Sequence, residues 1–291
     1  MCRATLRSMP FAPMLACPGA AIPAPPGEWA FEPKWDGMRT IVSVDADLAT
    51  RLVSRTGKVW TDAFPELADL GRVVGRPVVL DGETIVLGDD GRPSFERLSW
   101  RLRAPRPAIP PRRCPATFVA FDVLALDGEV VTDRPWSKRR ALLETLSLDG
   151  PAAVATMVVD DGAVLFAATG ALGVEGIIAK RRSARYVCGP RRTRAWLKIK
   201  HRASAWMDVA GWRPPTRSQP AGAILLARDG QRAGSALPGL PGDQREVFHR
   251  FVQRHGTPAG PVVRVPYGAQ VRVDYTERSA TGLLREAVAR E

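Results

Sequence analysis

A chain of 291 residues is long enough for two domains with full cores, and 45% apolar content excludes a disordered protein. The net charge of +12 points to a polyanionic partner, with nucleic acid first. Four scattered cysteines and three histidines without ligand spacing exclude a disulfide framework and a structural zinc site, which suits a reducing cytoplasm, and no apolar run reaches membrane-spanning length.

The first 28 residues are proline-rich and read as an extended arm. Arg3 and Arg7 precede Met14-Leu15-Ala16-Cys17, a faint lipoprotein-like pattern, but Pro10, Pro13 and Pro18 interrupt any apolar helix and argue against a signal peptide. Strands are predicted from Trp29-Ala30-Phe31, at 41–44 and at 51–55, the last closed by Thr56-Gly57, and a short helix at 64–70. A buried strand follows at 78–87, interrupted by Asp81-Gly82 and turned at Asp89-Asp90-Gly91. Residues 103–116 read as a proline-rich exposed connector, and 117–124 as a strand. Helices are expected from a Ser137 cap to about 146 and over 163–172, with strands at 176–180 and 195–200. Beyond Arg202, strands at 206–212, 222–227, 262–265 and 270–275 with one helix at 243–254 predict a small OB-like barrel.

Only six of the 42 basic side chains are lysines. Lys34 lies in Glu32-Pro33-Lys34-Trp35-Asp36-Gly37-Met38-Arg39, and Lys180, Lys198 and Lys200 fall within 175–202, which carries ten Lys/Arg against the single acid Glu175. Where arginine serves as the bulk cation, a lysine invites a chemical reason, because an amine can lose its proton and attack an electrophile. Lys34 is therefore the candidate covalent nucleophile. Lys34 and Asp36 can project on one side of the backbone, Gly37 permits a tight turn, and Arg39 can return to hold a phosphate or sugar hydroxyl. The i, i+2 spacing of Lys198 and Lys200 puts two ammoniums on one face of a strand, suited to phosphate. Glu83 and Glu175 sit in apolar runs, where a carboxylate needs a divalent ion, a ribose or an arginine as partner.

These segments resemble, in order and spacing, six motifs of the ATP-dependent DNA ligases, relatives of the mRNA capping enzymes in the covalent nucleotidyltransferase superfamily. They are Glu32 to Arg39, Leu52-Val53-Ser54-Arg55-Thr56-Gly57, Leu80-Asp81-Gly82-Glu83, Ala120-Phe121-Asp122, Glu175 to Arg181, and Trp196-Leu197-Lys198-Ile199-Lys200. The likeness runs from about Met14 to Arg285 and is nearest to compact bacterial ligases of the end-joining type. It implies an α+β fold: an adenylation (nucleotidyltransferase) domain of antiparallel sheets and flanking helices over 1–202, then an OB-fold β-barrel over 203–291. It further implies ATP and Mg2+ (or Mn2+) as cofactors and nicked duplex DNA as partner. Sealing would run through a lysyl-AMP and a DNA-adenylate, by a monomer in the bacterial cytoplasm, away from any membrane, with separate end-joining or repair proteins alongside.

By the same resemblance Lys34 is adenylylated, Glu32 meets the adenine edge and Phe121 stacks on the base. Arg39 and Glu83 hold ribose or phosphate, Arg55 takes the 5′ phosphate of the nick, and Lys198 and Lys200 contact the triphosphate. Glu175, assisted by Glu83, holds the metal, and Arg55, Lys180, Arg181, Arg191, Arg192 and Arg194 are expected on DNA. The chain departs from the family's Tyr-x-Pro-Gly-Arg-Arg segment, reading Tyr186-Val187-Cys188-Gly189-Pro190-Arg191-Arg192, one residue longer. The OB-domain motif rich in Arg, Asp and Lys is not recognisable. Capping-type transfer, RNA ligation and a non-catalytic DNA-binding homologue are the alternatives; labelled ATP against GTP separates the first.

Overall fold

The computed structural model describes residues 11–103, 114–148, 150, 153–189, 192–266, 268–279 and 281–290. The chain forms two compact units, Met1–Ile199 and Lys200–Glu291. The elements of the first are β1 (Leu15–Pro18), β2 (Trp29–Pro33), β3 (Met38–Val44), β4 (Thr50–Ser54), α1 (Pro65–Ala68), α2 (Leu70–Val74) and β5 (Val78–Val86). There follow α3 (Phe95–Arg103), β6 (Ala116–Leu126), β7 (Glu129–Val130), α4 (Trp136–Glu144), β8 (Ala153–Ala155), α5 (Gly162–Ala171), β9 (Gly176–Arg181) and β10 (Arg192–Lys200). One sheet runs in the order β4-β3-β5-β6-β7, with β8 also on β6, and a second runs β1-β10-β9-β2.

Strand alternation sorts the side chains onto two faces. Val42, Val44, Val78 and Leu80 point into one core with Phe64, Leu67, Phe118 and Leu143. Their neighbours Ile41 and Val79 point the other way, with Phe121 of β6, into a cluster with Met14, Tyr186 and Trp196 from the second sheet's side. Trp29, Phe31, Ile177 and Ala179 pack the far face of that second sheet against Leu165 of α5. The Asp161 carboxylate starts α5 by accepting the N–H groups of Ala163 and Val164.

The second unit contains β11 (Ala203–Arg213), β12 (Ala223–Arg228), β13 (Gln231–Pro238), α6 (Gly242–His255), β14 (Thr257–Ala259), β15 (Val262–Arg264), β16 (Gln270–Tyr275), β17 (Glu277–Arg278), β18 (Leu284–Arg285) and β19 (Val288–Ala289). Its sheet follows β12-β13-β19-β16-β11, and β11 pairs again with β12. That second pairing closes a five-stranded barrel, as an OB fold requires. Met207, Val209, Trp212, Ile224, Val271 and Val273 fill it.

The fold is the expected α+β one, with local differences. The N-terminal arm supplies β1, paired in parallel with β10. The predicted helix at 64–70 is broken into α1 and α2 around Asp69. Helix α3 and strand β13 were not expected, and most of the connector expected at 103–116 lies outside the described residues. Among the described residues no helix is long and apolar enough to cross a membrane.

One buried ion pair ties α4 to the sheet. Arg139 Nε and Nη2 donate to the two oxygens of Asp122 at 2.7 and 2.9 Å, with both side chains fully buried. Arg139 Nη1 donates to the carbonyls of Arg134 and Ala184. Arg139→Ala leaves the Asp122 carboxylate buried without its cation, and should cost about 3–5 kcal/mol in urea denaturation.

Candidate active site

Strand β2 ends at Pro33, and Lys34 follows at once. The Lys34 backbone N–H donates to Gly176 O at 2.9 Å, which fixes the lysine beside the start of β9. Its ammonium donates to Glu175 Oε2, and the two side chains are 20% and 19% exposed. The indole N–H of Trp35 donates to Thr156 Oγ1 at 3.1 Å and anchors the loop from β8's side. At Gly37 an added Cβ would lie 2.4 Å from Thr84 O and 2.9 Å from Glu83 Cγ, so only glycine lets the loop press onto β5. Gly82 answers a similar constraint, because a Cβ there would meet the Phe118 ring at 2.4 Å.

Arg39 lies opposite Glu83 in the β3–β5 ladder. Its Nε and Nη2 donate to Asp81 at 2.5 and 2.6 Å, and Nη2 also reaches Met14 O at 3.3 Å. Tyr186 donates its hydroxyl proton to Asp81 Oδ2 and accepts the Met14 N–H at 2.9 Å. Burial, then the Asp81 charge, keeps this phenol protonated well above its ordinary range. Burial likewise pushes the Glu83 carboxyl up to about 8; Arg39 and Lys34 oppose the rise, while Asp81 and Asp36 add to it.

A second buried pair lies on β2 and β9. Lys180 Nζ sits 2.7 Å from Glu32 Oε2 and donates to Phe121 O at 3.0 Å. The ammonium is 4.3 Å from the Phe121 ring centre and 4.4 Å from that of Trp196. Burial pushes the Glu32 carboxyl up and the Lys180 ammonium down, and each partner's charge opposes the other's shift.

Lys34, Glu175, Arg39 and Glu83 therefore fall at one seam, and Glu32, Phe121 and Lys180 at its buried floor. One expectation needs correction, and three further residues are already partnered within the chain. Lys180 is 1% exposed and ion-paired, so it presents no charge to DNA. Arg39 is bound to Asp81 through two nitrogens. The Phe121 ring is 8% exposed, with Arg39 4.5 Å from its centre and Lys180 closer still. Lys200 donates to both oxygens of Glu286 at 2.7 Å, within the second unit.

Arg55 is exposed on the turn after β4, its N–H bonded to Arg39 O. Arg192 and Arg194 are exposed on β10, where Lys198 is partly buried. Arg181 is half exposed, beside Glu28 and over Trp29. Arg191 lies outside the described residues. Asp81, Tyr186 and Trp196 are the site residues that sequence reasoning missed. All three stood in the motifs above, but only the fold shows that Asp81 and Tyr186 are hydrogen-bonded to each other.

Among the described residues no three His, Cys, Asp or Glu side chains converge into a metal cage. The raised Glu83 carboxyl has a consequence for stability. Its neutral form is favoured in the folded state, so the stability it contributes is full below 4.5, its ordinary value, and is lost as pH rises through about 8. Glu83→Gln should therefore be close to the wild type at pH 4 and relatively more stable at pH 9, as read by thermal melts.

A family model described as the ATP dependent DNA ligase domain matches residues 13–200. The chain is 39% identical over 232 residues to the multifunctional non-homologous end joining DNA repair protein LigD of Mycobacterium tuberculosis. That alignment covers 79% of this chain and 28% of the relative, so the chain spans less than a third of that protein's length. The crystal structure of the ligase domain from M. tuberculosis LigD matches with a TM-score of 0.59 and 32% identity, covering 96% of this chain and 94% of that one. A mycobacterial DNA ligase D complexed with ATP and MES matches with a TM-score of 0.58 and 32% identity, over 96% and 93% of the two chains.

Proposed function

Since the chain belongs to the ATP-dependent DNA ligase family, we propose that it seals 5′-phosphate/3′-hydroxyl nicks in duplex DNA, using ATP, in end-joining repair. The observation that carries this reading is Lys34 itself: a partly exposed amine, held by its own backbone to Gly176 and hydrogen-bonded to Glu175. In the first step the Lys34 ammonium loses its proton through Glu175 to water, which leaves Glu175 ionised. The neutral amine then attacks the α-phosphorus of ATP, so that a P–N bond forms and the P–O bond to pyrophosphate breaks. The AMP next passes to the 5′ phosphate of the nick, and the 3′ hydroxyl displaces it to close the strand.

Glu175 and Glu83 fit Mg2+ by donor type, as hard carboxylate oxygens, and this ion keeps waters and substrate phosphates in its shell rather than requiring a protein cage. Bound there, it supplies charge neutralisation at the reacting phosphate. Glu32 offers an acceptor to the base. Exposed Arg55, Arg192 and Arg194, together with Arg181, are positioned on the surface to meet DNA phosphates, each contact adding about one to the salt slope of binding.

Intact mass after incubation with ATP and Mg2+ tests the chemistry directly, since one added AMP is expected. Lys34→Arg keeps the charge yet cannot act as a nucleophile, and should carry no AMP. An adenylated Lys34→Arg chain would refute the assignment. Glu175→Gln keeps the size and removes the charge; adenylylation should fall by about 100-fold or more, with a higher Mg2+ requirement. An unchanged rate at limiting Mg2+ would reduce Glu175 to a structural role.

A further inference from the structure

The N-terminal arm reaches the first unit's interior through Met14, which is fully buried, and the chemistry at Lys34 gives it no part. Four groups close a ring of hydrogen bonds there. The Met14 N–H donates to Tyr186 Oη at 2.9 Å, and the Tyr186 hydroxyl donates to Asp81 Oδ2. Arg39 Nη2 donates to that same oxygen at 2.6 Å and to Met14 O at 3.3 Å. The loop after Tyr186, one residue longer than the family's segment, meets the arm again. Its Val187 N–H donates to Met14 Sδ at 3.3 Å, and its Gly189 N–H donates to Ala12 O at 3.2 Å.

We propose that Met14 and Tyr186 are positioning residues: arm and loop form a clasp that holds Asp81 and thereby fixes the Arg39 guanidinium for nucleotidyl transfer to Lys34. The inference rests on the nucleotidyl-transfer reading above and adds a role for the arm and the longer loop. Arg39 uses Nε and Nη2 on Asp81 and Met14, and its Nη1 makes no hydrogen bond among the described residues. One face of the guanidinium lies 4.5 Å from the Phe121 ring centre and 5.5 Å from that of Trp196, yet the side chain is 20% exposed. Nη1 is therefore the donor left for a substrate oxygen, and its direction is set by what the other two nitrogens hold.

An arginine paired with one aspartate can still pivot together with it, because both are side chains. Tyr186 grips Asp81 from another segment of the chain, and Met14 grips both Tyr186 and Arg39. Neither partner can then turn without leaving a buried polar group unmet. Tyr186→Phe removes the one atom that joins Met14 to Asp81 and keeps the ring, which packs edge-on to Trp196 at 5.8 Å. A donor misaimed by a fraction of an ångström loses more against charge developing in transfer than in the first binding of ATP, so the loss falls on the rate.

The test is single-turnover labelling of the full chain with ATP and Mg2+, read by intact mass over a range of ATP concentrations, with a melting curve for each protein. The proteins are wild type, Tyr186→Phe, Met14→Ala, Arg39→Lys and the Tyr186→Phe/Arg39→Lys double variant. Tyr186→Phe, still folded at the assay temperature, should lower the maximal rate by about 10-fold or more and leave the half-saturating ATP concentration within about threefold. Met14→Ala, which loosens the other side of the clasp, should behave alike, and it reports in place of Tyr186→Phe if melting shows that Tyr186→Phe does not fold. Placed on Arg39→Lys, which has no Nη1 to aim, Tyr186→Phe should slow labelling little further. A wild-type rate in folded Tyr186→Phe, a loss carried wholly by the half-saturating ATP concentration, or an undiminished further loss on Arg39→Lys would overturn the proposal. Wild type that takes up no AMP would instead count against the underlying chemistry.

Discussion

Buried charge between two sheets is the constraint on which the first unit depends. Asp81 and Asp122 are 0% and 1% exposed, and Glu32 is 2% exposed. Removing a carboxylate from water costs several kcal/mol unless a cation and good hydrogen bonds answer it. Each answer here comes from a different element: Arg39 of β3 meets Asp81 of β5, Arg139 of α4 meets Asp122 of β6, and Lys180 of β9 meets Glu32 of β2. Apolar packing alone would tolerate some sliding of one layer over another. A misplaced carboxylate would not: two of these pairs lock neighbouring strands within their own sheets, the Arg139 pair locks α4 to β6, and the bond from Lys180 to Phe121 O crosses from one sheet to the other.

The reactive loop inherits that precision. Residues 34–37 bridge β2 and β3, whose positions are fixed by the Glu32 and Arg39 pairs on either side. The loop is then held by Gly176 O at Lys34, by Thr156 at Trp35 and by the close approach of Gly37 to β5. A lysine side chain has about 2 kcal/mol of rotamer entropy to lose, and fixing its backbone and giving its ammonium one carboxylate partner removes much of that freedom before substrate arrives.

Much of this was legible in the sequence, though unevenly. The economy of lysine marked Lys34, and alternation located β3, β5 and β6. The inward turn of Lys180 was not legible, because β9 is buried on both faces: Ile177 and Ala179 are 0% exposed on one side and Lys180 is 1% exposed on the other. Where both faces are covered, period-two reading cannot separate an inward cation from an outward one, and a dense basic run biases the reading toward a surface. Strand β13 was hidden for another reason. Gln231–Pro238 contains Gly234, Ala233 and Ala236, with few residues of high strand propensity, and owes its place to partners on either side. The pairing of β1 with β10 is similarly nonlocal, and a proline-rich arm announces extension without naming what it lies against.

Accessibility separates the lysines more sharply than charge does. A nucleophile must be reached by its electrophile and must be able to shed a proton without leaving a buried counter-charge stranded. Lys180 fails both requirements, being 1% exposed and ion-paired at 2.7 Å to a buried carboxylate. Lys200 has a 9% exposed side chain held at both oxygens of Glu286. Lys34 is 20% exposed, and its partner Glu175 is 19% exposed, so water or a metal can take over the carboxylate when the ammonium becomes an amine. The same type of ion pair thus serves two ends in one sheet. Sealed from water it fixes a strand and a charge state, and open to the seam it prepares a proton transfer.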